Sequence, residues 1–393
     1  MSDQKAVIHW NKVLHKQPEN YLAWPTIGQT RSGEILVVFS GDRETHVCPY
    51  GKNQLIRSSD GGDTWSEPET VNNSPLDDRD TGLVVMRSGT LLITWFTGIS
   101  YSSDKYRDMY PNEYKSWLRH WNKISQHDRS KYHGRWSRRS RDGGANWEPQ
   151  VDTIVSAPHG PIQLKDGRLM MVGNTRIDGR PTVASVESRD EGRSWQLSGV
   201  IPIPEEKLAD AGHFNEPHLV ELPDGKIVAL IRYEPTKERY SEWYMHQSES
   251  LDGGKTWTSA HQTPIWGWPP HLIRLSSGPL LVTYGLRREP FGERACLSYD
   301  GGITWDIENE IVLRDDAPSG DLGYPATIEL EPGELLTVYY QLESESDRVA
   351  QKLESGVESP EELVDPDLSH IKDIASNDGN EKTCIMATRW SIK

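Results

Sequence analysis

Six times along the chain, two apolar runs flank a short polar turn that contains glycine. The segments are WPTIGQTRSGEILVVFS, DTGLVVMRSGTLLITWF, PHGPIQLKDGRLMMVGN, EPHLVELPDGKIVALIR, PPHLIRLSSGPLLVTYG and YPATIELEPGELLTVYY. Runs of this length, rich in Val, Ile, Leu, Thr and Tyr, predict β-hairpins around each glycine. The turn glycines are Gly33, Gly89, Gly167, Gly225, Gly278 and Gly333, spaced 53 to 58 residues apart except for 78 between the second and third. A second repeat, SxDxGxxW, follows each of the first five hairpins, starting at Ser58, Ser140, Ser188, Ser250 and Ser298. In such a turn the Asp side chain accepts from backbone N–H groups further on, Gly allows a positive φ and Trp packs beneath. Each copy has too few oxygen ligands to cage a calcium ion at Asp60 or Asp252, so all five read as architecture.

Six like hairpins predict radial repetition, because a ring removes the open sheet edges such strands would otherwise expose. The expected fold is all-β, a six-bladed β-propeller with four-stranded antiparallel blades, forming one domain over residues 1–393. The sixth hairpin is followed only by the strand-like CIMATRWSI from Cys384, and the chain opens on the strand-like AVIHW. These two termini are expected to complete one blade together. Two segments interrupt the period. Residues 101–136 form an aromatic insertion in the second blade, partly helical in pattern, expected either as a lid or as decoration. Residues 343–382 are polar and acidic and read as a solvated excursion from the last blade.

Composition agrees with many short strands: hydrophobic residues make up only 35 %, against 33 Gly, 25 Pro, 15 Trp and 15 Tyr. The net charge of −16 and the lack of a basic run argue against nucleic acid or an anionic membrane as partner. No signal-length apolar core opens the sequence and no run approaches the roughly 20 apolar residues of a membrane span. A soluble protein is expected, cytoplasmic unless a leader has been removed. Cys48, Cys296 and Cys384 show no CxxC spacing, so neither a disulfide framework nor a thiolate metal site is expected.

Aligning the hairpins on their turn glycines locates candidate chemistry. The position nine residues before each glycine reads Trp24, Asp80, Pro158, Glu216, Pro269 and Tyr324. In a propeller the innermost strands surround the axis, so this column is expected to converge on one basin. Arg43, Arg176, Arg232 and either Arg287 or Arg288 follow their glycines by seven to ten residues, and His46, His159, His213 and His271 fall close by. A satisfied polar plug on the axis is one reading of this set. The other is a receptor for an anionic sugar, since guanidinium groups pair bidentately with carboxylates. His159, His213 and His271 stand on successive blades, but none has metal-ligand spacing; no metal and no cofactor are expected.

The turns and the blade count resemble the sialidase (neuraminidase) superfamily of glycoside hydrolases over nearly the whole chain. NEPHLVELPDGKIVALIR is similar to the family segment in which a Glu precedes, by 16 residues, one Arg of a carboxylate-binding triad. The resemblance implies these roles for Glu216 and Arg232. GYPATIELEPGELLTVYY resembles the nucleophile-bearing hairpin, which implies Tyr324 as nucleophile, and Arg287 resembles the third triad Arg, with Arg288 and Arg294 as competitors. The family's first Arg lies in an Arg-Ile-Pro motif where this chain has Ala23-Trp24-Pro25, and no Asp stands where the family places its acid. Arg43 is expected to replace the missing guanidinium and His46 the missing acid, with Asp80 a further carboxylate able to serve as acid.

Three functions follow. The first is an exo-acting hydrolase for a terminal acidic sugar, with an acidic glycan as partner: Tyr324, Glu216, His46 and Asp80 catalytic, and Arg232, Arg287, Arg43, His159, His213, His271 and Arg176 binding. The second is a polysaccharide lyase acting on uronic acids by β-elimination through His and Tyr. The third is a non-catalytic carbohydrate-binding propeller.

Overall fold

The computed structural model of the chain describes residues 6–354 and 382–392. Six four-stranded antiparallel sheets follow one another around an axis. Their inner strands are Tyr21–Gln29, Asp77–Val85, Ile162–Gln163, Phe214–Glu221, His271–Arg274 and Gly323–Glu331, one per blade in chain order. Each inner strand returns through its glycine turn to the second strand of its blade, so the six hairpins read from the sequence are the six inner strand pairs.

The ring closes as the terminal strand patterns suggested. Cys384–Ile392 pairs with the second strand of blade six, Glu334–Gln341, and Ala6–His15 covers it as the outermost strand. Closure therefore rests on backbone hydrogen bonds between the two ends of the chain rather than on a covalent link.

The core is divided between blades, with Leu, Ile and Val of facing sheets interdigitating. The SxDxGxxW turns do more than pack a Trp below a loop. Trp195 Nε1 reaches Ser137 Oγ of blade two at 3.0 Å, Trp257 Nε1 reaches Ser185 Oγ of blade three at 3.0 Å, and Trp305 Nε1 reaches Gln247 Oε1 of blade four at 2.8 Å. Each of these turns ties its blade to the one before it. Their Asp carboxylates are filled from within: Asp252 accepts from the Lys255 and Thr256 amides and from Thr256 Oγ1.

Between the second and third strands of blade two lie two helices, α1 (Tyr114–Lys123) and α2 (Gln126–Tyr132). Tyr101, Tyr110, Tyr114 and Trp117 pack on Val47 and Leu76 from neighbouring loops. Trp117 Nε1 donates to Glu44 Oε2 at 2.6 Å and His120 contacts the Pro75 carbonyl at 2.8 Å, so this segment is moored to blade one. In the acidic excursion, α3 (Glu345–Glu354) is described. The rest of that expected excursion, 355–381, lies outside the described residues. All three cysteines are buried. No helix among the described residues is long and apolar enough to cross a membrane.

Candidate active site

One end of the axis opens into a cavity of about 370 Å³, a volume suited to a single sugar ring with its substituents. A repeated backbone device points side chains into it. On the inner strands of blades one, two, four and six the ladder slips by one residue, between Ala23 and Thr26, Arg79 and Gly82, Asn215 and His218, and Gly323 and Ala326. At each slip sits a residue with positive φ: Trp24 at 57°, Asp80 at 54°, Glu216 at 47° and Tyr324 at 53°. A non-glycine residue in this region costs on the order of 1–3 kcal/mol and persists where the surroundings enforce it. The bulge turns these side chains out of the strand alternation and toward the axis. Asn174 enforces the one at Glu216: its Oδ1 accepts from the Glu216 amide at 3.0 Å while its Nδ2 donates to the Phe214 carbonyl at 2.7 Å.

At the centre, Tyr324 Oη donates to Glu216 Oε1 at 2.6 Å. Glu216 Oε2 pairs with Arg232 Nη1 at 2.5 Å, and Arg232 Nη2 is held by Glu234. Arg232 Nη1 also lies 3.3 Å from Tyr324 Oη. Burial, followed by the charge of Glu216, pushes the Tyr324 phenol well above its ordinary value. The phenol is therefore a proton donor, and Glu216 is the group placed to take its proton as negative charge develops on oxygen.

Asp80 faces this pair from blade two. Burial, opposed by Arg79 and reinforced by the charge of Glu216, pushes its carboxyl up to about 7. Its Oδ1 is buried without a hydrogen-bond partner among the described residues. Such a carboxyl exchanges a proton near neutral pH, as a general acid must.

Three guanidiniums line the cavity, those of Arg79, Arg232 and Arg287. Arg79 stacks over Trp24 with its Cζ 4.3 Å from the ring centroid, and Arg287 Nη2 lies 3.3 Å from Tyr340 Oη. Asn215, whose Oδ1 is buried and unpartnered among the described residues, stands beside Glu216 on the same wall.

The BNR repeat-like domain matches this chain over residues 111–337, more than half of its length. The chain belongs to that family. No curated protein matches this BNR repeat-like chain in sequence. Among solved structures, a protein of unknown function from Dyadobacter fermentans superposes with a TM-score of 0.73 at 22 % identity, over 99 % of this chain and 100 % of its own. A sialidase from Streptococcus pneumoniae superposes at 0.57 and 16 % identity, over 84 % and 67 %. An α-L-arabinofuranosidase from Fusarium graminearum does so at 0.59 and 14 %, over 98 % of each chain. The resemblance to the sialidase superfamily read from the sequence thus holds at the level of the fold.

Within this BNR repeat-like propeller, Tyr324, Glu216, Asp80, His46, Arg232 and Arg287 all line the cavity. Five expected binding residues do not. Arg43 is fully buried behind it, paired with Asp77 at 2.8 Å and donating to the Asp78 and His46 carbonyls, so it staples the His46 loop to blade two. Arg176 is exposed and donates to the Gly179 carbonyl. His213 ends the 3-10 segment Glu205–His213 and is not among the residues lining the cavity. His159 and His271 sit one layer below, packed around the axis with His218 at ring-centroid distances of 4.4 to 5.7 Å. Nδ1 of His218 accepts from the Leu272 amide and Nδ1 of His271 from the Thr327 amide. Their protons then sit on Nε2, which suits a packed plug and not a metal site.

His46 is also corrected. Burial, then the charges of Arg79 and Arg43, hold its imidazole well below its ordinary value, and both ring nitrogens are engaged, with Tyr21 Oη at 3.1 Å and Arg79 Nη2 at 3.2 Å. A neutral ring with no proton facing the cavity is a poor acid. Arg79 is the guanidinium that the sequence reading missed, although it directly precedes Asp80 in DDRDTG. Seven residues after the six turn glycines stand Ser40, Phe96, Asn174, Arg232, Gly285 and Tyr340, a column in which Asn174 and Arg232 both line the cavity.

Proposed function

We propose that this chain is an exo-acting glycoside hydrolase that releases a terminal acidic sugar, sialic acid or a related ulosonic or uronic acid, through a tyrosine nucleophile. The observation that carries this reading is the 2.6 Å hydrogen bond from Tyr324 Oη to Glu216 Oε1, made by two residues on the bulges of blades four and six that line the cavity. In the first step Asp80 gives its proton to the glycosidic oxygen. Tyr324 oxygen bonds to the anomeric carbon as the bond from that carbon to the glycosidic oxygen breaks, the aglycone leaves as its alcohol, and Glu216 takes the phenol proton. In the second step the Asp80 carboxylate takes a proton from water, whose oxygen displaces Tyr324, and Glu216 returns the proton to the phenol. Two displacements leave the anomeric configuration retained. Arg79, Arg232 and Arg287 supply the carboxylate clamp, and a neutral nucleophile avoids repelling an anionic substrate.

The alternative of β-elimination loses support because His46 has neither an exposed proton nor a free lone pair facing the substrate. Incubation with aryl glycosides of sialic, uronic and neutral sugars, arabinofuranosides included, with products followed by NMR, tests the proposal. Saturated acidic sugar is expected from the wild type. Tyr324→Phe is expected to lose about 10²–10⁴-fold in kcat/KM, the range typical of a lost proton-transfer or nucleophilic group. Turnover within a few-fold of wild type in that variant removes Tyr324 from the chemistry, and an ultraviolet-absorbing unsaturated product replaces hydrolysis by elimination.

A further inference from the structure

Behind the cavity, the groups that hold two of the three guanidiniums form one continuous hydrogen-bond chain. Arg79 Nη2 lies 3.2 Å from His46 Nε2. A guanidinium only donates, so Nε2 accepts, and the neutral ring carries its single proton on Nδ1. That proton faces Tyr21 Oη at 3.1 Å, and Tyr21 Oη donates onward to Asp321 Oδ1 at 3.0 Å. From the other side Arg287 Nη2 donates to Tyr340 Oη at 3.3 Å, and Tyr340 Oη donates to the same Asp321 Oδ1 at 2.9 Å. Every donor runs inward to one buried carboxylate. Arg232, by contrast, has its own carboxylates in Glu216 and Glu234, whereas Arg79 and Arg287 make no ion pair among the described residues.

We propose that Asp321, in the connection that enters Gly323–Glu331 three residues before Tyr324, is a positioning residue that sets the direction of this chain. It serves Arg79 and Arg287 as a shared, remote counter-charge, and it acts through Tyr21, His46 and Tyr340 without touching substrate. The reading of the cavity as an acidic-sugar site supplies the functional consequence: the two guanidiniums left without carboxylates of their own are kept charged and aimed for the carboxylate of the ligand.

The chemistry of an amide at this position shows what the carboxylate does. A carboxylate is acceptor-only, so Tyr21 must donate to it and receive from His46. In Asp321→Asn the side chain gains an N–H₂ group that can donate to Tyr21 Oη, which then turns its own proton toward His46 Nδ1. The imidazole proton moves to Nε2, donor against donor with Arg79, and Arg79 loses its partner.

Histidine-selective ¹⁵N NMR of the full chain reads this without any substrate, with the His46 signals assigned by difference from His46→Gln. The expected result is the Nδ1–H tautomer in the wild type and conversion toward Nε2–H in Asp321→Asn. Tyr340→Phe, which removes one hydroxyl and no charge, is expected to leave the His46 tautomer unchanged. On the acidic glycoside that the wild type hydrolyses, both variants are expected to raise KM about tenfold while kcat stays within about threefold, the worth of one charge-assisted contact. An Nε2–H tautomer in the wild type, or an unchanged tautomer in Asp321→Asn, overturns the proposal, as does a loss confined to kcat. If the wild type hydrolyses no acidic glycoside, the reading of the cavity fails while the NMR result still decides the role of Asp321.

Discussion

The division of labour among the carboxylates of the cavity follows from their surroundings. Glu216 is compensated by Arg232 at 2.5 Å and accepts the Tyr324 hydroxyl. Asp80, which lines the same cavity, is buried with an oxygen that has no partner among the described residues, and its carboxyl is raised to about 7. Under the proposed mechanism the raised, unpaired carboxyl of Asp80 is the acid, and Glu216, already accepting the phenol proton, is the base. A general acid must be protonated to act, so activity is expected to fall as pH rises through about 7, and the falling limb belongs to Asp80. In Asp80→Asn that limb should vanish from the profile of kcat/KM, with the rate at pH 6 lowered by about 10²–10³-fold. Aryl glycosides with good leaving groups, which need no proton on departure, should lose far less in the same variant. A profile that keeps its high-pH limb without Asp80 assigns the acid elsewhere.

The hairpins and turns were legible at the scale of the element because each repeats a local rule. Two apolar runs around Gly33 or Gly225 pair as antiparallel strands, and the Ser and Asp of the SxDxGxxW turn take up the turn's backbone amides. The bulges were not legible, although they decide what reaches the cavity: nothing in AWPT or NEPH signals a positive φ, which is imposed by tertiary contacts such as Asn174 on the Glu216 amide. Glu216, Tyr324 and Asp80 were found because register alone aligns them. Arg79 was missed because it stands one place off the column, and Arg43 was misassigned because distance from a turn glycine does not tell the front of a cavity from the wall behind it. The internal bonding of the turns yields a stability prediction separate from chemistry. Ser250 Oγ accepts from the buried Gly254 amide at 2.8 Å and donates to Asp252 Oδ1 at 2.9 Å. Ser250→Ala leaves that amide without a partner, which is expected to cost about 1–3 kcal/mol by denaturant unfolding while leaving kcat/KM unchanged.

For the molecule as a whole, the axis is the part every blade shares, and its lower layer is a plug of neutral imidazoles. His159, His218 and His271 come from three successive blades and are all buried. Burial lowers the His218 ring to about 3 and holds His159 and His271 well below their ordinary values. Unfolding returns these rings to water, where each takes up a proton below about 6.5. The plug therefore stabilises the fold fully above that pH, and each ring withdraws about 1.4 kcal/mol per pH unit as pH falls from there toward its folded value. Asp78 and Asp80 act in the opposite sense over the same range, because both are raised to about 7 when folded and so bind protons more tightly in the native ring. The total acid response is a difference between these groups, and a single variant isolates one of them. His218→Asn keeps an acceptor for the Leu272 amide and removes the titrating ring. Between pH 6.5 and 4 the unfolding free energy of the variant, from urea titrations at each pH, is expected to fall less steeply than that of the wild type by about 1.4 kcal/mol per unit. Parallel curves would mean that His218 takes up no more protons on unfolding than Asn, and that the plug is wet or charged in the native ring.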